Sequence, residues 1–593
     1  MRGPDPPTLS GVREVFLDLE TTGLRWWAGD RPIGVALAWD DHPAVYLPFR
    51  HSEGNLDEET VRRWAREQLR GKRIVGLNTK FDLHCMREWG VDLEALGSTA
   101  TDVAHSAALL DDNRRSGFSL EALGQEFLGE GKVKGLDVRA LASLPASEVA
   151  PYAIQDVELT RKLHRLLAPR IDEEGLTQVL ALEDACVWPT MEMEKNGAPL
   201  DAERLDRWLH ESEQAILRAG YLVEKEVGFP VRPKSRLDLV KLFAARGLKN
   251  TYLTESGKFP SFTDDVLELF THDEVVAQIR KTRRIESVRG MYLTKYHRAS
   301  DGGRDVLRYA LHQLRADEYG TIGGRYSSSA PTKDPYSGAN VQQVATVEGQ
   351  RTSWGYAEDD STHDDEIYLI RKLFIPKSGT YLSADAKQIE YRLFAHYTRS
   401  QQLLDAYRGD PNVNFHKVVW GMVQQRLPSS TYRMAKAANF SLVCGAGPKT
   451  VSKLLGVPVE EANGFISAYD HEFPEAKKLL HHASKVAKTR GYVKSLTGRR
   501  FRFPDGEFTY KAVNRVIQGG AADVMKRKLV ELHAERRRTG FLMRMTVHDE
   551  VCGDVPDAES ARMVDEILNR QSFELMVPIL WDTKTGSSWA ACA

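Results

Sequence analysis

The stretch EVFLDLETTGL, residues 14–24, decides the fold of the N-terminal part of the chain. Side chains of a β-strand alternate between two faces, so Asp18 and Glu20 lie on the same side of this strand. The apolar Leu17 and Leu19 point to the opposite side. Two carboxylates therefore stand together at the end of an apolar strand, directly before a Thr-Thr-Gly turn. This pattern predicts a functional site, because buried charges are unfavourable unless they are paired or bind a metal.

Length and composition place few limits on function. The 593 residues are too many for one hydrophobic core and predict ~3–5 domains. A formal net charge of −2 gives no overall basic character, so a nucleic-acid site has to come from local clusters. The five cysteines are scattered without a CxxC pair, which favours a reducing compartment over a zinc ribbon or disulfide framework. Without a targeting pattern or a run of ~18 apolar residues, the chain is expected to be cytoplasmic, with no membrane segment.

The order of strand-like and helical patterns divides the chain. From residue 12 to about 167, short apolar runs alternate with helical stretches, as in an α/β domain; we call this the α/β region. Residues 177 to 311 are mostly helical and rich in Lys and Arg. The acidic segment 358–366 is expected to be a solvated loop, and we assign it no function. Long helices follow, and strand patterns return at FLMRMTVHDEVCGDV.

Two further segments of the α/β region supply partners for Asp18 and Glu20. GLNTKFDLH places Asp82 at a helix start, and YAIQDVELT places Tyr152 and Asp156 one turn apart on one helix face. Four carboxylates can hold two divalent cations through oxygen ligands, and such a pair can activate water against a phosphodiester. Tyr152 would orient that water. Any one of these acids alone is more often an unrelated surface charge, but their combination favours a site.

A second acidic pair lies in the C-terminal half. In TYLSADAKQIEYRLFAHY, a strand over residues 381–384 places Asp385 at its end, and a helix is predicted to follow. FLMRMTVHDEVCGDV predicts two short strands joined at His548 and Asp549. A hairpin tip presents its carboxylate outward, so Asp549 can face Asp385 and share two magnesium ions with it. This pattern indicates in-line phosphoryl transfer with a primer 3′-hydroxyl as nucleophile.

The segment YRMAKAANFSLVCGAGPKT lies between those two and predicts a helix that stops at its Gly-Ala-Gly-Pro end. Lys436, Phe440 and Cys444 recur every four residues and share one face, with Arg433 one turn before Lys436. A cation one turn from an aromatic ring suits a nucleoside triphosphate, with Lys436 on phosphate and Phe440 against sugar and base. The alternative is an amphipathic helix with a packed aromatic side chain and solvated cations.

These segments together resemble two known families. DxE, NxxFD and YxxxD, in that order, resemble the tyrosine-containing branch of the DEDD 3′–5′ exonucleases over roughly residues 12–168. The three C-terminal segments resemble motifs A, B and C of family A DNA polymerases, the group of bacterial DNA polymerase I and its phage relatives. Supporting segments occur from about residue 182 onward: MEMEKNGAPLD, TESGKFPSFTDDVLE, GGRYSSS with NVQQV, RKLFIP, GYVKSLTGRRFRFP and AVNRVIQGGAADVMK.

The resemblance implies a multidomain α/β and α+β architecture. A ribonuclease H-like exonuclease domain would span residues 1–170, followed by a right-hand polymerase domain over 171–593. The polymerase parts would be the thumb at about 205–310, the fingers at about 401–519, and the palm at about 180–204, 311–400 and 520–593. We expect no 5′-nuclease domain, because the chain starts almost at the exonuclease motif.

Roles for matching positions are also implied by the resemblance. Metal ligands would be Asp385 and Asp549 in the polymerase site, and Asp18, Glu20, Asp82 and Asp156 in the exonuclease site. Each site would take two Mg²⁺ ions, with Mn²⁺ as a possible substitute. The implied partners are primer–template DNA, dNTPs and a single-stranded 3′ end, and a processivity factor is left open.

Further implied roles concern binding of the substrates. Lys436, Arg433, Phe440 and His416 would hold the incoming nucleotide, and Glu390 would be a steric gate against a ribose 2′-hydroxyl. His548 would lie near the primer terminus, and Glu550 would support the metal ligands. Arg325, Asn514 and Gln518 would read the minor-groove side of the duplex, where acceptors are shared by all correct base pairs. Basic thumb pieces such as RKTRR would hold phosphates.

Motif B departs from the family pattern at several positions. The family has Arg four residues before the motif B lysine, whereas this chain has Tyr432 there and Arg433 one residue later. Ser441 replaces the usual Gly, and Cys444 replaces the usual Tyr. Because Cys is smaller than Tyr, the floor of the nucleotide-insertion site is expected to be looser.

The leading hypothesis is a DNA-templated DNA polymerase with proofreading, acting in the cytoplasm of a bacterium or of a phage-infected cell. One alternative is a 3′–5′ exonuclease whose C-terminal half only binds DNA, but intact Asp385, Lys436 and Asp549 argue against it. A single-subunit RNA polymerase is disfavoured by Glu390 and by the full exonuclease pattern. A non-catalytic DNA-binding scaffold would not need so many catalytic residue types in place.

Overall fold

The structure is a computed structural model that describes residues 5–254, 256–299, 305–314, 321, 323–334, 337–443 and 445–592. The chain divides into two compact units. The first comprises Met1–Asn196, Ala310–Ser328 and Ser383–Thr583, and the second comprises Gly197–Tyr309, Ser329–Leu382 and Lys584–Ala593. Within the described ranges, we find no helix with the length and apolarity needed to cross a membrane.

The α/β region forms a five-stranded sheet flanked by helices. Its strands are β1 (Glu14–Thr21), β2 (Pro32–Ala38), β3 (Val45–Pro48), β4 (Arg73–Gly76) and β5 (Thr99–Asp102), in the spatial order β3-β2-β1-β4-β5. Its helices are α1 (Glu58–Gln68), α2 (Thr79–Glu88), α3 (Val103–Leu110), α4 (Leu120–Leu128) and α5 (Ala146–Glu173). The central strand β1 runs antiparallel to β2 and parallel to β4. The predicted α/β class is confirmed.

The two faces of β1 pack as the alternation predicts. Leu17 and Leu19 are buried in one hydrophobic core together with residues of α1 and α2. Phe16 belongs to a second core on the other face, together with residues of α3 and α5. Asp18 and Glu20 continue the Phe16 face, so they approach α5. Hydrophobic burial on both sides of the sheet thus fixes the register that carries the two carboxylates toward α5.

The next elements follow in chain order. They are α6 (Thr177–Asn196), β6 (Ala198–Pro199), α7 (Ala202–Val227), α8 (Arg236–Ala245), α9 (Asp264–Glu268), α10 (Glu274–Val288), a π-helical turn (Arg289–Leu293), α11 (Thr294–Ala299), β7 (Val306–Leu307), β8 (Ala310–His312), β9 (Ser327–Ser329) and α12 (Val347–Ser353). In the second unit, α7, α8 and α10 share a small core around Leu239, Leu242 and Ile279.

The basic segment RKTRR lies in α10 and is largely occupied within the protein. Arg280 and Arg284 both bind Asp264, the first through Nε at 3.0 Å and the second through Nη2 at 2.9 Å. Arg283 donates to backbone carbonyls of the same unit. Lys281 is exposed. These arginines bridge helices and loops of their own unit, so holding phosphates through this segment stays a prediction.

The expectation of a solvated acidic loop is wrong for one residue of segment 358–366. Asp364 is only 4% exposed. Arg351 of α12 donates to both of its carboxylate oxygens, at 2.8 and 3.0 Å, and Lys372 lies 3.5 Å from Oδ2. The neighbouring Asp365 and Glu366 are exposed, as expected. A bidentate arginine partner thus makes burial of one acid in this segment favourable.

The remaining elements build the rest of the first unit. They are β10 (Thr380–Ala386), α13 (Ile389–Thr398), α14 (Gln401–Gly409), α15 (Phe415–Arg426), α16 (Tyr432–Val443), α17 (Pro448–Leu455), α18 (Val459–Glu472), α19 (Pro474–Arg490), β11 (Tyr492–Lys494), β12 (Arg500–Arg502), α20 (Ala512–Ala534), α21 (Arg536–Thr539), β13 (Leu542–Val547), β14 (Glu550–Val555), α22 (Ala558–Asn569) and β15 (Trp581–Gly586). A four-stranded sheet has the order β13-β14-β10-β15. The division into exonuclease, thumb, palm and fingers stays a prediction, since the two compact units follow other boundaries.

A buried ionic network joins α6 to α20. Glu183 and Lys526 have no exposed surface, and Lys526 Nζ lies 2.6 Å from Glu183 Oε1. Arg499 bridges Glu183, at 2.6 Å, and Asp523, at 3.0 Å. Gln313 donates to the second Glu183 oxygen at 3.1 Å. Burial alone would raise the pKa of Glu183, but the charges of Lys526 and Arg499 lower it to about 2. The network is therefore ionised.

Removing one cation from this network should destabilise the first unit. Lys526→Met leaves Glu183 buried with one cation fewer, and breaking a buried pair from one side costs about 3–5 kcal/mol. Urea unfolding followed by circular dichroism measures the shift. Arg562→Met is the matched control, because Arg562 and Glu559 form an exposed pair whose loss should change stability little. Equal shifts for the two variants would contradict the central role of the network.

A histidine at the end of α20 connects α6 with the α/β region. His533 donates to Glu94 at 2.7 Å and also binds Glu192 of α6. Arg536 donates to the same Glu94 oxygen at 2.6 Å. Burial alone would lower the pKa of His533, but the hydrogen bonds to Glu192 and Glu94 outweigh it and raise the pKa. The contact therefore favours an imidazolium.

This contact predicts a pH dependence. The stability that His533 contributes is fully present below about pH 6.5, the ordinary imidazole pKa, and is lost as the pH rises through its raised pKa. His533→Gln should therefore cost about 1.5–3 kcal/mol at pH 6 and less at pH 9. Urea midpoints at the two pH values measure this, with the exposed His482→Gln as control. A pH-independent cost would contradict the ionic contact.

Candidate active sites

The predicted acids of the α/β region meet at one place. Asp18 and Glu20 at the end of β1 face Asp156 of α5, and ligand oxygens of these three carboxylates lie within 4.8 Å of one another. Asp82 of α2 joins them through β1, because its Oδ1 accepts from the Leu19 N–H at 3.1 Å. Glu20, Asp82 and Asp156 are buried, at 6%, 4% and 2% exposed. The structure thus brings three of the four predicted acids into one cluster and places Asp82 against the strand that carries two of them.

Two further side chains complete this cluster. Tyr152 is buried one turn before Asp156 on α5, as predicted. Lys132, in the loop after α4, places its Nζ 2.5 Å from Asp156 Oδ2 and 4.9 Å from the centre of the Tyr152 ring. The sequence did not indicate Lys132, because it lies in a loop with no regular spacing to the acids.

The electrostatics of the cluster show an excess of negative charge. Burial, with the charge of Asp156, raises the pKa of Asp18 to about 7. Burial, with the charge of Asp18, raises the pKa of Glu20 to about 9. The Oδ1 atom of Asp156 is buried and makes no hydrogen bond within the described part of the chain. Close carboxylate oxygens with too few cations are the donor set of a divalent metal site, so these residues fit one.

A second residue that the sequence did not indicate is Tyr46 of β3. Its hydroxyl hydrogen-bonds His51 Nε2 at 2.7 Å, and burial and the charge of Glu20 raise its pKa. Gly34, which pairs with Glu20 across β1 and β2, makes room for it. A Cβ atom at Gly34 would lie 2.1 Å from the Tyr46 hydroxyl oxygen. The β3 strand was not predicted, so this neighbour could not be.

The acidic pair of the C-terminal half lies on neighbouring chain segments. Asp385 is an exposed residue near the end of β10, which extends two residues beyond the predicted strand. Asp549 sits at the turn between β13 and β14, as predicted, where His548 has a left-handed φ of 58°. The Ala386 N–H donates to the Asp549 carbonyl at 3.0 Å. This bond sets the two acids next to each other, and burial raises the pKa of Asp549.

Two of the predicted substrate contacts form an ion pair beside Asp549. The Arg325 guanidinium binds the carboxylate of Glu390, the second residue of α13. Burial raises the pKa of Glu390, while the charge of Arg325 opposes that change. Arg325, His548 and Asp549 line one small cavity together with Met525 of α20. Arg325, Glu390 and His548 are therefore gathered around Asp549, and their roles toward primer and nucleotide stay predictions.

Glu550 does not point into that cavity. It is 8% exposed and accepts a hydrogen bond from the Ser383 hydroxyl across the sheet. Cys552 Sγ lies 3.6 Å from the same Glu550 oxygen. The position fits a residue that supports its neighbours in the sheet.

Two of the side chains predicted for the nucleotide site, His416 and Lys436, come from adjacent helices. His416 of α15 is hydrogen-bonded through Nδ1 to Asn439 Nδ2 of α16, at 3.1 Å. Its ring packs against the ring of Tyr391, with 4.8 Å between the two ring centres. Burial and the charge of Lys436 lower the pKa of His416. Lys436 itself is exposed on α16. An uncharged His416 next to a solvent-facing Lys436 can bind a polyanion, since one supplies a hydrogen bond and the other charge.

Other predicted residues are placed less fully. Asn514 and Gln518 lie one turn apart on α20 and are both half-buried. Arg433 and Phe440 belong to α16, but their side chains lie outside the described part. Cys444 lies outside the described residues, so the looser floor expected for the nucleotide-insertion site stays a prediction.

Comparison with known proteins agrees with both resemblances. A family model described as DNA polymerase family A matches residues 203–591, and a 3′-5′ exonuclease model matches residues 8–172. A relative named DNA polymerase DpoZ, from Salmonella phage PMBT28, is 27% identical over 94% of this chain and 92% of that protein. DNA polymerase I of Pseudomonas aeruginosa is 27% identical over 97% of this chain and 63% of its own length.

One solved structure extends the likeness over the whole chain. It is described as the POL domain of Pol1 from M. smegmatis in complex with DNA primer-template and dNTP. It aligns with a TM-score of 0.79 over 100% of this chain and 99% of that chain, at 20% identity. The two proteins therefore share a fold.

Proposed function

The chain belongs to DNA polymerase family A and is a DNA polymerase with an N-terminal 3′–5′ exonuclease domain, and we propose which residues carry its two reactions. The observation that carries the proposal is that the predicted acids lie at two separate places, one beside the five-stranded sheet and one at the four-stranded sheet. Asp18, Glu20, Asp82 and Asp156 would serve the exonuclease, and Asp385 with Asp549 the polymerase.

Enzymes of both kinds use divalent metals, and the proposed ions are two Mg²⁺ per site, replaceable by Mn²⁺. Bound at these carboxylates, they supply a Lewis acid that activates the attacking oxygen and stabilises the leaving one. In the exonuclease site, Tyr152 would hold the attacking water by a hydrogen bond from its hydroxyl. The protein residues would thereby place the attacking water and the leaving 3′-oxygen of the primer on opposite sides of the phosphorus, so that the P–O bond joining the terminal nucleotide to the primer breaks as the bond to water forms.

In the polymerase site, the primer 3′-oxygen attacks the α-phosphorus of a dNTP, and the bond to the β-phosphate breaks to release pyrophosphate. Lys436 and His416 would bind the triphosphate, and the Lys436 ammonium would offset the negative charge that builds on the leaving group. Arg433 and Phe440 would complete the nucleotide contacts. His548, at the hairpin tip, would lie beside the primer terminus.

The proposed partners are primer–template DNA, dNTPs and a single-stranded 3′ end. Arg325, Asn514 and Gln518 would contact acceptors in the minor groove, which are alike for all correct base pairs. This mode supports binding without sequence preference. Cys85, Cys186, Cys552 and Cys592 are buried and form no disulfide within the described residues, which supports the cytoplasm of a bacterium or of a phage-infected cell as the location.

The two reactions should be separable by mutation. Asp385→Ala is expected to lower primer extension by at least about 10³-fold, because it removes a metal ligand, and to leave removal of mismatched 3′ ends intact. Asp18→Ala with Glu20→Ala should do the reverse. Gel assays on matched and mismatched primers measure both activities. Asp41→Ala, which removes an exposed acid of the α/β region, is the control.

Three outcomes would contradict this assignment. Loss of synthesis in the Asp18→Ala, Glu20→Ala variant would show that the sites are not independent. Full synthesis by the Asp385→Ala variant would show that Asp385 is not part of the polymerase site. Exonuclease activity without any synthesis by the unmodified chain would favour the alternative of a nuclease with a DNA-binding C-terminal half.

Glu390 should exclude ribonucleotides by its volume. Glu390→Ala opens space beside Asp549, and we expect incorporation of ribonucleotides relative to deoxyribonucleotides to rise about tenfold or more. Glu390→Gln keeps the volume and removes only the charge opposite Arg325, so it should retain most of the discrimination. Single-nucleotide incorporation kinetics measure the ratio. Equal ratios for the two variants would show that charge, and not volume, excludes the ribose.

A further inference from the structure

Lys132 is the feature of the exonuclease site that the assigned roles leave unexplained. Its Nζ lies 2.5 Å from Asp156 Oδ2, and a third of its side chain is exposed to solvent. The other Asp156 oxygen, Oδ1, is buried and unbonded within the described residues. The ammonium therefore occupies one oxygen of a carboxylate that is otherwise available for a metal.

The loop that carries Lys132 is held in place from two helices. The Lys132 N–H donates to Glu121 Oε2 of α4 at 2.7 Å, and Gln155 of α5 donates to the Gly131 carbonyl at 3.3 Å. Gly131 packs closely against α4, since a Cβ atom there would lie 2.3 Å from the present position of Gln125 Nε2. The backbone thus fixes the base of the side chain next to Asp156, while the four-carbon stem leaves its ammonium free to move.

A divalent cation and the ammonium compete for the same carboxylate. A metal bound by Asp156 would stand within a few ångströms of Nζ, where two positive charges repel strongly in a partly buried site. Without a metal, however, Lys132 offsets the repulsion among Asp18, Glu20 and Asp156. The same side chain therefore stabilises the metal-free site and opposes metal binding.

We propose that Lys132 is an exchangeable counterion of the exonuclease site, which holds Asp156 in the metal-free state and leaves it when divalent cations bind. This role is one of positioning and rests on the proposed exonuclease function. It sets the metal concentration at which the site becomes active, because each binding event has to displace the ammonium.

The test is a Mn²⁺ titration of the full chain, followed by the electron paramagnetic resonance signal of free Mn²⁺. The substitutions Asp385→Asn and Asp549→Asn are placed in every sample, so that the remaining tight binding reports the exonuclease site. In this background, Lys132→Met is expected to bind Mn²⁺ about tenfold more tightly than the parent. Lys132→Arg, which keeps the charge, should stay close to the parent.

Lys134→Met is the matched control in the same loop. The Lys134 side chain is 84% exposed, and its Nζ lies 3.9 Å from Glu121 Oε1, which is too far for a hydrogen bond. Its removal should therefore leave Mn²⁺ affinity unchanged. Thermal unfolding supplies an independent readout: Lys132→Met should melt below the parent in EDTA and regain the difference in saturating Mn²⁺. That recovery also shows that the variant folds.

Equal or weaker Mn²⁺ affinity of Lys132→Met would overturn the inference, as would an equal gain in Lys134→Met. A melting deficit that Mn²⁺ does not restore would show a purely structural lysine and would also overturn it. Exonuclease assays on the unmodified chain keep the two proposals distinct. If they show no nucleotide removal, the proposed function fails even where the counterion exchange is observed.

Discussion

The first unit depends on an ionised cluster that is closed off from water. Glu183 comes from α6, Lys526 and Asp523 from α20, and Arg499 from the turn between β11 and β12. Charges in such a place are costly to desolvate, so they are stable only while all partners stay in position. The cluster therefore favours one arrangement of α6 and α20 within the first unit.

Other polar residues of helix α6 contact further elements of the first unit. Glu194 accepts from Leu311 at 2.7 Å and binds Lys80 and His84 of α2, the helix that carries Asp82. At its C-terminal end, Asn196 donates to the Met543 carbonyl of β13 at 2.8 Å, in the strand that leads to Asp549. One helix thus touches the supports of both acid sets. Its amphipathic pattern is weak because nearly every side of it is buried.

The sequence predicted those site residues whose placement follows from local periodicity. It missed those that are brought in by contacts between distant parts of the chain. Alternation along β1 was enough to place Asp18 and Glu20, and helical spacing was enough for Tyr152 and Asp156. Lys132 and Tyr46 come from a loop and a short strand without such a pattern. The two cations that pair with Glu183, Lys526 and Arg499, lie more than 300 residues away in the sequence. Asp364 is buried against Arg351, a pairing that the acidic residues around Asp364 gave no reason to expect. Three-dimensional proximity, and not residue type, decided these cases.

The contacts along α6 have a consequence for how an error would be corrected under the proposed assignment. They reach the helix that bears Asp82 and the hairpin that bears Asp549 within one compact unit, so the protein would set the gap between cutting and joining chemistry. Under that assignment the nucleic acid would cover the distance, through the opening of terminal base pairs. The sorting of correct from incorrect ends would then follow the melting free energy of the duplex terminus, which is a property of the DNA.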